Sequence, residues 1–339
     1  MREYFRPVVE TCLKKPDNAL SICGSKLWFN QVEVITRAGS LGYRNVERFP
    51  SSFFKDITRR RKPISSMDFL NPVIMGIVNL TPDSFSDGGR VRNVKDFSKR
   101  IKNLVKDGAK IIDLGGESTR PGAKEISYQL EKERVVKYLE FLSKTNDGAI
   151  ISVDTRKSKI AELSANFKVH IINDVSAGTF DRDMLTVVKK YKLGFCMCHS
   201  QGIPETMNIN PKYENVVLDV YDYLEERIFK AVQAGISKDK ILVDPGIGFG
   251  KTYKHNLDII RNISIFHGLG CPILLGVSRK KFIRTTMEST NDLGLKFGSI
   301  FYSFEGVRQG VQIVRMHDVK EMKNCLNGYK ALWTKKIMK

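Results

Sequence analysis

From about residue 70 onward the chain alternates two patterns. Short, nearly continuous apolar runs occur at 73–79, 110–115, 149–154, 169–174, 193–198, 240–244, 272–277 and 312–316. Each is rich in Val, Ile and Leu, as expected of a parallel strand covered on both faces. Between them lie amphipathic stretches. Residues 97–107 and 213–234 place their apolar positions at helical spacing, and 291–310 does so less regularly. Repeated strand and helix units over this length predict an α/β fold, a (β/α)8 TIM barrel with an N-terminal extension. A doubly wound parallel sheet is the alternative. The number of repeats, the lack of a GxGxxG turn after the first run, and the polar residues that end each run favour the barrel.

Residues 1–70 read differently. They carry thirteen basic and seven acidic residues, and Val32-Glu33-Val34-Ile35 resembles strand material. The knot Arg59-Arg60-Arg61-Lys62, followed by Pro63 and two serines, predicts a solvated linker, with a phosphate or nucleic-acid contact as the alternative. The expected organisation is an extension over 1–70 and a barrel over 71–339.

Functional groups of a barrel gather where its strands end. The eight runs end in Asn79, Asp113, Asp154, Asn173-Asp174, His199, Asp244, Ser278-Arg279-Lys280, and Arg315 with His317. One polar strand end is a cap or a turn; a polar group at every end predicts a ring around one mouth. Asp154, Asn173 and Asp244 suit a flat heterocycle with several N–H donors and a carbonyl, such as a pterin or guanine edge, although helix capping by the two aspartates is the structural alternative. Lys251, Arg279, Lys280, Arg315 and His317 suit an anionic leaving group. Gly250-Lys251-Thr252 has the form of the end of a phosphate-binding loop, but Pro245 stands where the first glycine of that motif belongs, so the glycines are read as allowing close backbone approach to a ligand.

Composition narrows the class. The 339 residues are 42% hydrophobic and 27% charged, ordinary for a globular chain. The net charge of +19 favours anionic ligands, and its scattered lysines lack the aromatic interleaving of single-strand nucleic-acid binders. The six cysteines lack zinc-ligand spacing and fit a reducing compartment. No apolar stretch has membrane-span length and no signal-peptide core opens the chain, so the expectation is a cytoplasmic protein with no membrane and no nucleic-acid partner.

Two segments are more specific. Met75-Gly-Ile-Val-Asn-Leu-Thr-Pro-Asp-Ser-Phe-Ser-Asp-Gly-Gly and Ile112-Asp-Leu-Gly-Gly-Glu-Ser-Thr-Arg-Pro-Gly resemble the two signature motifs of the dihydropteroate synthase family. Ser152-Val-Asp-Thr, Ile172-Asn-Asp, Asp244-Pro-Gly-Ile-Gly-Phe-Gly-Lys, Ser278-Arg-Lys and Arg315-Met-His-Asp match it in the same order. The resemblance runs from about residue 72 to the C-terminus. It implies a transferase of folate biosynthesis, of the class targeted by sulfonamides. Such an enzyme condenses 6-hydroxymethyl-7,8-dihydropterin diphosphate with 4-aminobenzoate, giving 7,8-dihydropteroate and diphosphate.

Carried over by position, the resemblance has Asp154, Asn173, Asp244 and Lys280 hold the pterin. Asn79, Arg315 and His317 handle the diphosphate, Asn79 through Mg2+. Phe85, Ser118, Thr119, Arg120 and Pro121 shape the 4-aminobenzoate pocket, and Asp87 lies near the pterin methylene carbon. Phe249, Lys251 and Ser278 join the substrate-binding set. Asp87, Lys280, Arg315 and His317 form the catalytic group. The family is commonly a homodimer. Cys198 replaces the usual Met of the fifth motif, and Lys281 stands where small polar residues also occur. Residues 1–70 are read as a plain extension; residues 8–37 resemble the C-terminal strands of a dihydroneopterin aldolase, and a remnant of such a domain is the alternative. A pterin-binding methyltransferase shares the barrel and the carboxylates but has no need of Ser118-Thr119-Arg120-Pro121. A barrel acting only as a nucleic-acid binder has no need of the ring.

Overall fold

In the computed structural model, residues 2–11, 14–81, 93–145, 148–288 and 291–333 are described here. The apolar runs become one eight-stranded parallel sheet. Its strands are Val73–Asn79, Ile111–Gly115, Ile150–Asp154, Ile171–Asp174, Gly194–Cys198, Ile241–Asp244, Leu274–Leu275 and Ile313–Met316. Strands one to six pair in sequence, strand eight lies between strands one and seven, and a parallel bridge from Val243 to Ile273 closes the barrel. The Val243 N–H donates to Pro272 O at 3.0 Å across that seam. Strand seven is much shorter than its apolar run predicts. The chain leaves the sheet at Gly276, and Arg279 takes a left-handed backbone conformation at φ 57°.

Helices follow the strands. Val94–Lys106, Val216–Gln233 and Asp292–Arg308 occupy the three segments with helical spacing. Asn93, Asn215 and Asn291 cap their N-termini with side-chain oxygens, satisfying amides that helices leave unpaired. Buried faces such as Phe97, Ile101 and Leu104 cover the outside of the barrel.

The interior narrows to a floor at the N-terminal ends of the strands. Met75, Ile111, Ile150, Ile171, Cys196, Leu242, Leu274 and Ile313 point inward there, and Ile64, Met67 and Phe69 pack up against them from below. The segment expected to be a linker therefore plugs the barrel. Ile64 exchanges backbone hydrogen bonds with Met67 at 3.1 Å, forming a tight turn that presents the plug. The basic knot is not uniformly solvated. Arg61 is only 3% exposed, and its guanidinium donates to Asp56 O at 2.7 Å and His267 O at 3.0 Å.

Upstream, Tyr4–Pro7, Gln31–Thr36 and Gly39–Asn45 form an antiparallel sheet. Its own small core includes Ile22, Phe29, Val32, Val34, Phe54 and Ile57. It docks on the barrel through the Ser264 hydroxyl, which donates to Pro7 O at 2.9 Å, and the Tyr4 hydroxyl, which donates to Asp222 at 2.8 Å. Arg37 pairs with Asp219 and Asp222 on the same helix.

Truncating the plug leaves a cavity beneath eight strands at once. Ile64→Ala is expected to lower unfolding stability by about 2–4 kcal/mol, measured by urea denaturation. A change below about 0.5 kcal/mol would show that Ile64 lies on a surface rather than in the floor.

Candidate active site

The strand ends meet at the opposite face, around a cavity of about 740 Å³. Asn79, Ser118, Thr119, Arg120, Pro121, Asp154, Phe249, Lys251, Ser278, Lys280, Arg315 and His317 all line it. Asn173 and Asp244 lie just behind that lining, 7% and 5% exposed. An added Cβ on the lining residue Gly276 would stand 3.7 Å from Asp244 Oδ2. Phe85 and Asp87 lie outside the described residues.

Arg315 organises the deep end. Its Nε donates to Asp113 Oδ2 at 2.6 Å and its Nη2 donates to Asp154 Oδ2 at 2.8 Å. Asn173 Nδ2 donates to the same Asp113 oxygen at 3.2 Å. Burial pushes the Asp154 carboxyl above its ordinary range, against the pull of Arg315, and burial likewise raises Asp244. Asp113 Oδ1 and Ser152 Oγ are fully buried side-chain oxygens with no hydrogen-bond partner among the described residues. Both residues are fully buried behind the cavity lining, so at this end the acceptor that faces the cavity is the carboxylate of Asp154. Asp113 carried no role from the motifs. The signal that finds it is a polar residue inside the otherwise apolar second strand, paired in register with Ser152.

The glycine-rich turn after strand six forms one wall. Gly246, Gly248 and Gly250 all adopt positive φ. A Cβ on Gly246 would fall 1.8 Å from His199 O, and one on Gly250 would fall 2.5 Å from Gln201 O, so the turn passes too close to strand five for any side chain. Its polar groups are held individually. Asp244 Oδ1 accepts from Gly246 N at 2.7 Å, Asn256 Oδ1 accepts from Gly248 N at 2.7 Å, and the Tyr213 hydroxyl donates to Gly250 O at 2.8 Å. Lys280 Nζ donates to Ile247 O and lies 4.1 Å from the centre of the Phe249 ring, a cation over an aromatic face.

The cations grouped together by sequence have separate fates. Lys251 lines the cavity but is tied into the turn: its Nζ donates to Phe249 O at 3.0 Å and meets His199 Nδ1 at 2.8 Å. Burial lowers Lys251 to about 7 and drives His199 well below its usual value. Arg279 is engaged by Asp318 through Nε at 3.1 Å and Nη2 at 2.8 Å. Lys280, lowered to about 8 by burial, stays at the cavity wall. The Ser278 hydroxyl meets His317 Nδ1 at 3.0 Å and also accepts from the His317 N–H at 3.1 Å, fixing that ring at the rim.

The loop after strand two, which carries residues 118–121, is anchored at its start. Gly116 packs so closely that a Cβ would meet Val135 Cγ1 at 2.7 Å, and its carbonyl accepts from Arg134 at 2.9 Å. Glu117, also missed as a site residue, accepts from Arg156, from Lys157 and from the Ile126 N–H. Burial pushes Glu117 up, but these hydrogen bonds outweigh it and leave its pKa lowered.

With buried carboxylates and cations gathered around a cavity where its parallel strands end, this barrel falls in the class of pterin-binding enzymes. The family model described as "Pterin binding enzyme" matches residues 75–317. The chain belongs to the dihydropteroate synthases, transferases of that family. It is 41% identical to the dihydropteroate synthase of Escherichia coli (strain K12) over 257 residues, covering 76% of this chain and 90% of that one. It is 39% identical to the Haemophilus influenzae enzyme over 265 residues, covering 78% and 95%. Among solved structures it is similar to Yersinia pestis dihydropteroate synthase with a sulfonamide drug, with a TM-score of 0.75 and 38% identity over 78% of this chain and 96% of that one. It is also similar to the Xanthomonas albilineans enzyme with 4-aminobenzoic acid, with a TM-score of 0.72 and 34% identity over 78% and 94%.

Proposed function

We propose that this chain joins 6-hydroxymethyl-7,8-dihydropterin diphosphate to 4-aminobenzoate in the cavity just described. The observation that carries the reading is Asp154 at the cavity wall, held by Arg315, which Asp113 fixes from behind. The Asp154 carboxylate so held is an acceptor for the N–H edge of a pterin. Asn173 and Asp244 extend it, and Lys280 with the Phe249 ring covers the heterocycle. Arg315 and His317 face the diphosphate. The 118–121 loop forms the opposite wall, for the benzoate.

Chemistry then needs no nucleophilic side chain. The methylene C–O bond breaks first, and its electron pair leaves on the diphosphate, whose charge Arg315 and His317 offset. The amine nitrogen, held in line by the loop, attacks the cationic methylene carbon and releases a proton to solvent. Asp87 is proposed to stabilise the cation.

A Mg2+ ion fits the donor set. Asn79 supplies an amide oxygen at the cavity wall, and no group of three His, Cys, Asp or Glu side chains forms a metal cage among the described residues. Mg2+ is often held by one or two protein oxygens plus substrate phosphates, so Asn79 would share the ion with the diphosphate. Bound there, the ion would neutralise phosphate charge.

No helix among the described residues is long and apolar enough to cross a membrane, and a cytoplasmic enzyme is proposed. The extension over 1–70 is proposed as a buttress of the barrel floor. A second copy of the chain is proposed to cover helix Asp292–Arg308, where Leu293, Phe297 and Phe301 are 57%, 60% and 58% exposed at four-residue spacing on one face. Sedimentation equilibrium should give a dimer, and Phe297→Glu a monomer. A monomeric wild type would refute this face as the interface.

Purified protein with both substrates and Mg2+ should yield diphosphate and dihydropteroate together, and Lys280→Ala should fall to background. Absence of both products from folded wild-type protein would overturn the reading.

The pH profile follows from two groups. Asp154 must lose its proton to accept from the pterin, so kcat/KM for the pterin substrate should rise with pH through its elevated pKa. It should fall above about 8 as Lys280 loses charge. Lys280→Arg keeps its charge at all accessible pH and should erase the alkaline limb. An unchanged limb would assign it to another group.

A further inference from the structure

Beneath the 118–121 loop lie four buried ionic groups, two acids and two cations. Glu117 and Glu131 are 6% and 0% exposed, and Arg156 and Lys157 are 5% and 8% exposed. Lys157 Nζ donates to Glu117 Oε2 at 2.8 Å and to Glu131 Oε2 at 2.9 Å. Arg156 donates to both Glu117 oxygens at 3.2 Å, and the Thr155 hydroxyl donates to Glu131 at 2.7 Å. Glu117 Oε1 also accepts from Ile126 N at 2.9 Å. One carboxylate thus ties residue 117 to residue 126 and closes the intervening loop at its base. Arg156 reaches the far arm of the loop at Glu125, 3.7 Å away.

The cations come from an informative place. Thr155, Arg156 and Lys157 follow Asp154 directly, and the Asp154 carboxylate faces Arg315 in the deep end of the cavity. The tip of the third strand therefore carries one side chain into the heterocycle subsite and the next three into the base of the loop. Lys157 is the only one of the three that hydrogen-bonds both acids, linking the loop to helix Tyr128–Thr145, which carries Glu131. Without it, two carboxylates would remain buried beside one guanidinium, and their repulsion would drive Glu117, and the loop with it, outward.

We propose that Lys157 is a positioning residue for the second substrate. Acting through Glu117, it fixes the 118–121 loop against the strand tip that binds the pterin, and so sets the affinity for 4-aminobenzoate without touching it. The proposal rests on the function assigned above.

The test compares wild type, Lys157→Met, and the charge-balanced double variant Lys157→Met with Glu131→Gln. For each, KM for 4-aminobenzoate, KM for the pterin diphosphate and kcat are measured, with the dissociation constant of the pterin substrate alone and the melting temperature. Lys157→Met is expected to raise KM for 4-aminobenzoate on the order of tenfold while pterin affinity changes less than about twofold. The double variant removes the unbalanced acid and is expected to recover part of that loss, and it serves as the folded comparison should the single variant not fold. Equal loss of affinity for both substrates, or a lower melting temperature with an unchanged KM for 4-aminobenzoate, would reduce the cluster to a purely structural role and overturn the proposal. Failure of the parent function shows differently: wild-type protein would then form no dihydropteroate.

Discussion

The mouth of this barrel depends on one guanidinium. Arg315 stands between Asp113 and Asp154, acids delivered by the second and third strands to one rim. Parallel closure makes the encounter unavoidable, since every strand end arrives at the same face. Two carboxylates buried side by side without a cation would cost several kcal/mol or take up protons. With Arg315 between them, both are held in one fixed arrangement at the deep end of the cavity. Held this way, Asp154 keeps its place at the cavity wall, while Asp113 and Ser152 stay fully buried behind it. Stability and recognition are the same interaction here, seen from inside and from the cavity.

The barrel was legible because its signal is local. Each strand is buried on both faces, so it is written as an uninterrupted apolar run, and each run's first polar residue marks the rim. Seven strands sit inside their runs almost to the residue, and the helices at Val94–Lys106, Val216–Gln233 and Asp292–Arg308 fall where the helical spacing placed them. The exception is strand seven. Its apolar run promises six residues, but Gly276 and the left-handed Arg279 turn the chain away after Leu275. Apolar character there serves helix packing, which a run of Val and Leu does not distinguish from pairing.

What was not legible is non-local. The basic knot before Pro63 has the composition of a linker. Only the position of His267, whose carbonyl takes a hydrogen bond from Arg61, reveals that it is packed. The same holds at the rim. Lys251, Arg279, Lys280 and Arg315 are equivalent as charges on a string of residues. Folding gives each a different partner: His199 and the Phe249 carbonyl, Asp318, the Ile247 carbonyl, and the Asp113–Asp154 pair. A cation that clamps a turn and a cation that meets a ligand have the same letter, and only distance separates them.

That distinction bears on how two substrates are handled in one cavity. The glycine turn is clamped by Lys251, and the loop after strand two is clamped at its base by Glu117, so each wall is held by a charged group whose hydrogen bonds run to the protein. The floor and the loop base share the tip of strand three, where Asp154 faces inward and Arg156 and Lys157 face outward. A backbone of four residues spans both. A shift of that tip large enough to release Asp154 from Arg315 would also pull Lys157 away from Glu117, because packed interiors transmit displacement rather than absorb it. The geometry of the first subsite is therefore mechanically continuous with that of the second, and the buried, charge-balanced set at 117, 131, 156 and 157 is the joint between them.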